Sequence, residues 1–437
     1  MPAGNVLTSV SNGTLFIVGD TQDNSIVLSQ PQPGTLTITP TGTTLLNGQA
    51  GPQSGTMPPN LDILLGAGTD SLSFDLGSNP IVVPGALTVD YGTGGTGTKT
   101  TQTTGANANT LTVGGNLGIR YAAGAVTTVL DNLAVGGNLT VLHAAGDSSF
   151  TLDNRAGAGK FSSVGRSLSV TNTQGVADNT VLDTNVTGSV TFANGRARAA
   201  DNAAGTTKIA NANNTSLAAI GGSLSIRNAS GDSATGDTVG DVLVKGNVTL
   251  ALGSGAFKAT VAAQHATTGP TIDGNLTVAA AVAGAAKVAL GAGGTGLTVK
   301  KNLTVRSGNR LAAVALDDLR VTGTTGIFTG AGADTVSIDG AAADSGSTFG
   351  GAFSLGTGPG ADALAIGSGS AAGATTTFNG SVLVSLGIGD DALKLATAGK
   401  VDFTTKVPVF DGSTGTNTKT VTTANLHGKA PTFKNFV

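Results

Sequence analysis

The chain contains no cysteine and no tryptophan, only two tyrosines, and charged residues make up just 11% of it. Each scarcity excludes something. Without cysteine there is no disulfide framework, no thiolate metal ligand and no cysteine nucleophile. With tyrosine confined to Tyr91 and Tyr121, the aromatic platforms that sugar-binding clefts favour are largely missing. Lys and Arg number 23 against 26 Asp and Glu, a formal net charge of −3, with no run of either sign. Such a balance argues against nucleic acid as a partner, and no polybasic segment invites an anionic membrane. No stretch approaches the roughly 20 apolar residues of a membrane span. Met1-Pro2-Ala3-Gly4 carries neither the basic nor the apolar region of a signal peptide.

What is present is glycine, 68 of 437 residues, with alanine, threonine, valine and leucine, spread evenly from end to end. Length alone allows two or three domains, but the composition does not divide the chain that way. A hydrophobic content of 39% is too high for a disordered chain. The apolar residues are mostly small and aliphatic, which suits thin, regular layers better than one bulky core.

A repeat organises these residues. Val113-Gly114-Gly115-Asn116-Leu117 is followed by Val135-Gly136-Gly137-Asn138-Leu139-Thr140-Val141. Related phrases begin at Val164, Val186, Ile220, Val244, Ile272 and Val299, with looser copies at Val83, Phe349 and Phe378 and a degraded one near Val321. The spacing runs from about 22 to about 34 residues, averaging about 27, which is one coil of a β-helix. Leu-Thr-Val alternates in, out, in, as a half-buried strand does. Gly-Asn or Gly-Ser before it reads as a sharp bend in which glycine takes positive φ. Stacked coils would bring Asn116, Asn138, Asn247, Asn275 and Asn302 into similar turns, where their amides form a ladder. A second strand ends in an acidic or amide turn, as in Leu130-Asp131-Asn132, Leu152-Asp153-Asn154, Leu182-Asp183 and Leu316-Asp317-Asp318.

The expected fold is therefore all-β: a right-handed parallel β-helix, or β-solenoid, of roughly a dozen coils with capping segments at both ends. Residues 1–60 read as an N-terminal β cap, with hairpin strands around Thr14–Val18 and Thr35–Ile38. Gln49 to Asn60, with three prolines, reads as a loop. Residues 61–400 form the helix. Residues 401–437 lose the phrase, gather Phe403, Phe410, Phe433 and Phe436, and read as a cap or a segment that docks on another subunit.

The most specific chemical phrase is Gly-x-Gly-x-Asp-x-apolar. It occurs at Gly66–Leu72, Gly330–Val336, Gly358–Leu364 and Gly387–Leu393, around Asp70, Asp334, Asp362 and Asp391. The last three lie one coil apart, so their aspartates stack on one edge. The phrase resembles the nonapeptide of calcium-binding RTX β-rolls, although the copies are not in tandem and lack the leading Gly-Gly. That resemblance implies Ca²⁺ held between turns by Asp70, Asp334, Asp362 and Asp391. The alternative is an ordinary turn in which aspartate holds its own backbone.

Other motifs carry less. Gly92–Gly97 and Gly291–Gly296 match Gly-x-Gly-x-x-Gly without the strand, helix and acid of a dinucleotide site. Asn138, Asn185, Asn247, Asn275 and Asn302 begin Asn-x-Thr sequons that the repeat itself explains. His143, His265 and His427 stand in unlike contexts and read as surface or loop residues. Asp317-Asp318 and Asp390-Asp391 are adjacent acids whose side chains would point apart on a strand.

The Gly-Asn-Leu-Thr-Val phrase and the aspartate turns together resemble bacterial exported β-solenoid surface proteins: autotransporter and filamentous-haemagglutinin passengers and planctomycete-type surface proteins. The resemblance covers about Val83 to Val384. It implies a non-enzymatic extracellular or cell-surface structural protein acting as adhesin, spacer or filament subunit, in mature form without a signal peptide. Its partners would be further copies of itself, through the terminal coils or the C-terminal segment, or other cell-surface components. A polysaccharide lyase or hydrolase is the competing reading, and it requires a cleft lined by at least two acids and a base.

Overall fold

A computed structural model describes residues 4–77, 79–93, 97–105, 109–154, 160–196, 205–211, 217–230, 236–263, 269–281, 285–291, 295–341, 345–369 and 374–437. The protein is all-β and built of parallel sheets of many short strands. It divides into two units, Met1–Gly222 and Ser223–Val437.

In the first unit three kinds of strand recur in turn, and each pairs in parallel with its counterpart three strands later. Leu117–Tyr121, Leu139–His143 and Leu168–Gln174 are successive members of one sheet. Val126–Asp131, Ser148–Asp153 and Ala177–Leu182 belong to a second. Leu111–Val113, Leu133–Val135 and Ser162–Val164 belong to a third. This is the pairing of a β-solenoid with three strands per coil. The second unit repeats it, for example in Leu276–Ala280 with Leu303–Arg306, Ala312–Leu316 with Thr335–Ile338, and Leu297–Val299 with Leu319–Val321.

The repeated phrase explains the register. In Leu-Thr-Val the leucine and valine point inward, so Leu139 and Val141 are fully buried while Thr140 is exposed. Fully burying each such side chain stabilises the fold by about 1.5–3 kcal/mol. The Asn ladder is present. Asn116 Oδ1 accepts the Asn138 N–H at 2.8 Å, Asn247 Oδ1 that of Asn275 at 2.9 Å, and Asn275 Oδ1 that of Asn302 at 3.1 Å.

One detail of the turns differs from expectation. The repeat glycines do not take positive φ. They are needed because a Cβ on Gly136 would press into the Gly114 carbonyl oxygen of the neighbouring coil. The left-handed residues lie instead in the acidic turns, at Asn132 (φ 54), Asp183 (φ 45) and Asp318 (φ 52).

At the N-terminal end of the first unit, Asn5–Ser11 and Thr14–Val18 form an antiparallel hairpin, as do Ser25–Gln32 and Thr35–Pro40. Thr14–Val18 then pairs in parallel with Asn60–Leu64, and Ser25–Gln32 with Ser71–Asp75, so the hairpins also start two of the sheets. Within the expected loop, Gln53–Thr56 is a strand antiparallel to Thr35–Pro40. Its prolines, Pro52, Pro58 and Pro59, flank the strand rather than interrupt it.

In the second unit parallel pairing continues beyond Val401. Val409–Asp411 pairs with Val382–Ser385, Thr418–Val421 with Ala392–Leu395, and Thr432–Lys434 with Val409–Asp411. Phenylalanine takes some of the inward places there, at Phe403 and Phe410. Phe349, Phe378 and Phe403 stack face to face at 5.0 and 5.3 Å, one per coil.

Candidate functional site

Asp334, Asp362 and Asp391 are brought together as expected, but on the inside. Each lies two residues before an inward apolar residue (Val336, Leu364, Leu393) and so shares its face; each is only 1% exposed. Strand register sets Asp334 against Asp362, Asp362 against Asp391, and Asp391 against Asn417. Each side chain accepts the backbone N–H of the coil before it. Asp334 Oδ1 accepts from Ala312 at 2.7 Å, Asp362 Oδ1 from Asp334 at 2.8 Å, Asp391 Oδ1 from Asp362 at 2.9 Å, and Asn417 Oδ1 from Asp391 at 3.0 Å. The aspartates thus hold neighbouring backbone rather than their own.

The second oxygen of each carboxyl is different. Oδ2 of Asp334, Asp362 and Asp391 is buried with no hydrogen-bond partner among the described residues. Burial raises the Asp334 carboxyl above the ordinary range, against the opposing influence of the nearby Thr329 hydroxyl and the Ala312 N–H and with the help of the Asp362 charge. Burial likewise raises Asp391, where the Asp362 N–H opposes and the Asp362 and Asp390 charges add.

Asp70 is not part of this column. It lies in the first unit, 1% exposed, and its Oδ2 meets the Lys99 ammonium at 3.2 Å. Lys99 is itself fully buried and also donates to the Gly68 carbonyl at 2.9 Å. Burial raises Asp70, while the Asn24 N–H and Lys99 oppose the rise.

Calcium takes six to eight oxygens. Each stacked aspartate offers one free oxygen, its other being held by backbone, and no three acidic or histidine side chains converge among the described residues. Side-chain oxygens alone therefore do not make up the calcium shell that the resemblance implies.

The first unit holds a second polar column. Tyr91 and Tyr121 stack at 4.6 Å, and Tyr121 lies 4.9 Å from His143. Thr101 Oγ1 stands between the two phenols, 2.8 Å from Tyr91 and 2.6 Å from Tyr121. Burial holds Tyr91 well above its ordinary pKa and pushes Tyr121 up to about 12, so both phenols are neutral, and Tyr91 donates to the Thr100 carbonyl at 2.6 Å. His143 is 1% exposed rather than at the surface, because strand alternation turns it inward beneath Tyr121. Neither ring nitrogen has a hydrogen-bond partner among the described residues, and burial lowers its pKa to about 4. His427 is exposed, and His265 lies outside the described residues.

The remaining candidates have structural partners. Asp390 is exposed and accepts the Thr416 N–H at 2.7 Å, while its neighbour Asp391 points inward. Asp317 and Asp318 are both buried at a strand end, where Asp317 accepts the Gly340 N–H and Asp318 that of Gly346. The sequon residue Asn185 accepts the Ala219 N–H at 2.7 Å. Both glycine-rich phrases fall partly outside the described residues, at 94–96 and 292–294.

Sequence reading missed Lys99 and the tyrosine–histidine stack. Lys99 opens Lys-Thr-Thr-Gln-Thr-Thr, in which threonine occupies both faces, so alternation gives no parity. Tyr91, Tyr121 and His143 were detectable only by aligning the ends of successive first-sheet strands.

The two ends also differ. In the first unit, Gln30 Oε1 accepts the Val82 N–H at 2.8 Å and closes part of the edge of Ile81–Val83. A largely apolar groove of about 480 Å³ opens beside the hairpins, lined in part by Val10, Leu15, Leu36 and Met57. In the second unit, the last strands Thr418–Val421, Leu426–Gly428 and Thr432–Lys434 each pair on one edge alone among the described residues. Their Val421, Leu426 and Phe433 are half-buried.

No protein family, curated protein or solved structure matches this chain.

Proposed function

We propose that this chain is a non-enzymatic structural protein of the cell surface or extracellular space, a right-handed β-solenoid of roughly a dozen coils that serves as adhesin, spacer or filament subunit. The supporting observation is its last coil. Among the described residues three of its strands pair on one edge alone, beside an inward row of Val421, Leu426 and Phe433 that is only half covered. Free edges with an apolar row are templates for strand addition. A second copy of the chain is the occupant that this reading favours.

The rest of the molecule is consistent with a product that is architecture. Inward acids hold backbone, outward amides form ladders, and the acidic turns close one coil on the next.

Sedimentation velocity and electron microscopy test the reading. Wild type is expected to assemble as concentration rises, and Val421→Asp/Phe433→Asp to remain single with its β circular dichroism intact. Assembly that is equal in both proteins would remove self-association from the proposal.

A further inference from the structure

Each unit carries a row of polar residues at one level of successive coils, Asn24, Asp70 and Lys99 in the first unit and Asp334, Asp362, Asp391 and Asn417 in the second. In the first unit Asn24 and Lys99 bring donors to neighbouring oxygens. Asn24 Nδ2 donates to the carbonyls of Gln22 at 2.7 Å and Leu65 at 3.0 Å. The Lys99 ammonium serves Asp70 Oδ2 and the Gly68 carbonyl together. In the second unit Asn417 Nδ2 donates to the carbonyls of Gly412 at 2.7 Å and Asn435 at 3.0 Å.

The three aspartates of the second unit place an oxygen where asparagine places an N–H donor. That oxygen is buried and has no partner among the described residues. The nearby hydroxyls are committed: Thr329 donates to the Thr357 carbonyl at 3.3 Å and Thr357 to the Leu386 carbonyl at 2.6 Å. The charged groups facing Asp334 and Asp391 are acidic, Asp362 between them and Asp390 beside the latter. The cations on adjoining segments, Arg310, Lys394 and Lys419, are exposed. An ionised, unpartnered carboxylate in such a place is costly, and the group neutralises instead.

We infer that Asp334 and Asp391 fold as neutral carboxylic acids whose Oδ2–H groups act as donors within the stack, making this column a proton-responsive seam where its sequence resembles a calcium turn. Asparagine at one end of each unit's row, Asn24 and Asn417, is the same device made permanent. The fold favours the protonated form, so the folded pKa exceeds the unfolded one. The stabilisation is complete below the unfolded value and is lost as pH rises through the folded value.

Isotope-edited infrared spectroscopy of the full chain labelled with ¹³C-aspartate, in chelated buffer, reads the protonated carboxyl directly. Wild type is expected to keep a protonated-aspartate band at pH values where exposed aspartates have ionised, and Asp334→Asn/Asp391→Asn to lose it. In parallel denaturation, wild type should weaken relative to that variant as pH rises, by up to about tenfold in the unfolding constant per pH unit for each proton. A band that vanishes together with those of exposed aspartates would overturn the inference. So would millimolar CaCl₂ that removes the band and stabilises wild type but not the variant, because the column would then be a cation site. If the variant does not fold, the wild-type band with and without calcium still decides.

Discussion

The two units build the same coil around different interiors. The first unit runs Tyr91, Tyr121, His143, Asn172 and Asn194 up one face of its core, one residue per coil. The second runs Phe349, Phe378 and Phe403 in the same manner. Backbone pairing is indifferent to this choice, since the ladder is made of main-chain groups. The response to solution conditions is not. His143 carries a folded pKa near 4 against 6.5 for the free side chain, so its stabilisation is full above 6.5 and is lost as pH falls toward 4. The phenylalanine stack has no titratable atom. Acid therefore acts against the first interior through His143, while the inferred Asp334 and Asp391 protons make acid favourable in the second.

The comparison breaks most sharply at Lys99. Replacing it with Ala leaves Asp70 buried without its cation and should cost about 3–5 kcal/mol in chemical denaturation. Adding Asp70→Asn should recover most of that loss, because Asn24 holds the next place in the stack as an amide. His143→Leu should raise stability near pH 4 by up to about 3 kcal/mol while changing it little at pH 8, as read by denaturation at the two pH values. In the other interior, Phe378→Leu should cost about 1–1.5 kcal/mol with no dependence on pH between 4 and 8, read from thermal melts. The smallest effect is expected at the surface. Asn275→Ala removes one rung of the exposed ladder and should cost about 0.5–1 kcal/mol, visible as faster hydrogen exchange at the Asn302 amide.

Much of the fold was legible because a strand with one buried face writes period two into the chain. Leu139-Thr140-Val141 and its relatives carry that signal, and Asn138 and Asn275 announced their ladder by position. The candidate site was legible in part. The spacing of Asp334, Asp362 and Asp391 placed them in one column, but not on its inner face, because a Gly-x-Gly turn resets the parity that a strand would preserve. Lys99 was hidden among threonines that suit either face. The glycines of the repeated phrase showed where a bend occurs; they did not show whether torsion or the approach of a neighbouring carbonyl demanded them. Beyond Val401 the phrase dissolved while the pairing went on, with phenylalanine at some of the inward places.

The N-terminal hairpins carry a consequence for the order of events in folding. Thr14–Val18 meets Asn5–Ser11 across a two-residue turn, and Thr35–Pro40 meets Ser25–Gln32 nearly as directly. The parallel pairings between coils, such as Leu117 with Leu139, close longer loops, which costs more chain entropy before any contact forms. The hairpins are thus the first places where order is affordable, and their strands already present the edges on which Asn60–Leu64 and Ser71–Asp75 lie down. Synthesis completes these hairpins before the coils that follow them in the chain. Asn60–Leu64 and Ser71–Asp75 each then have a paired partner to lie against, which shortens the search that parallel pairing imposes.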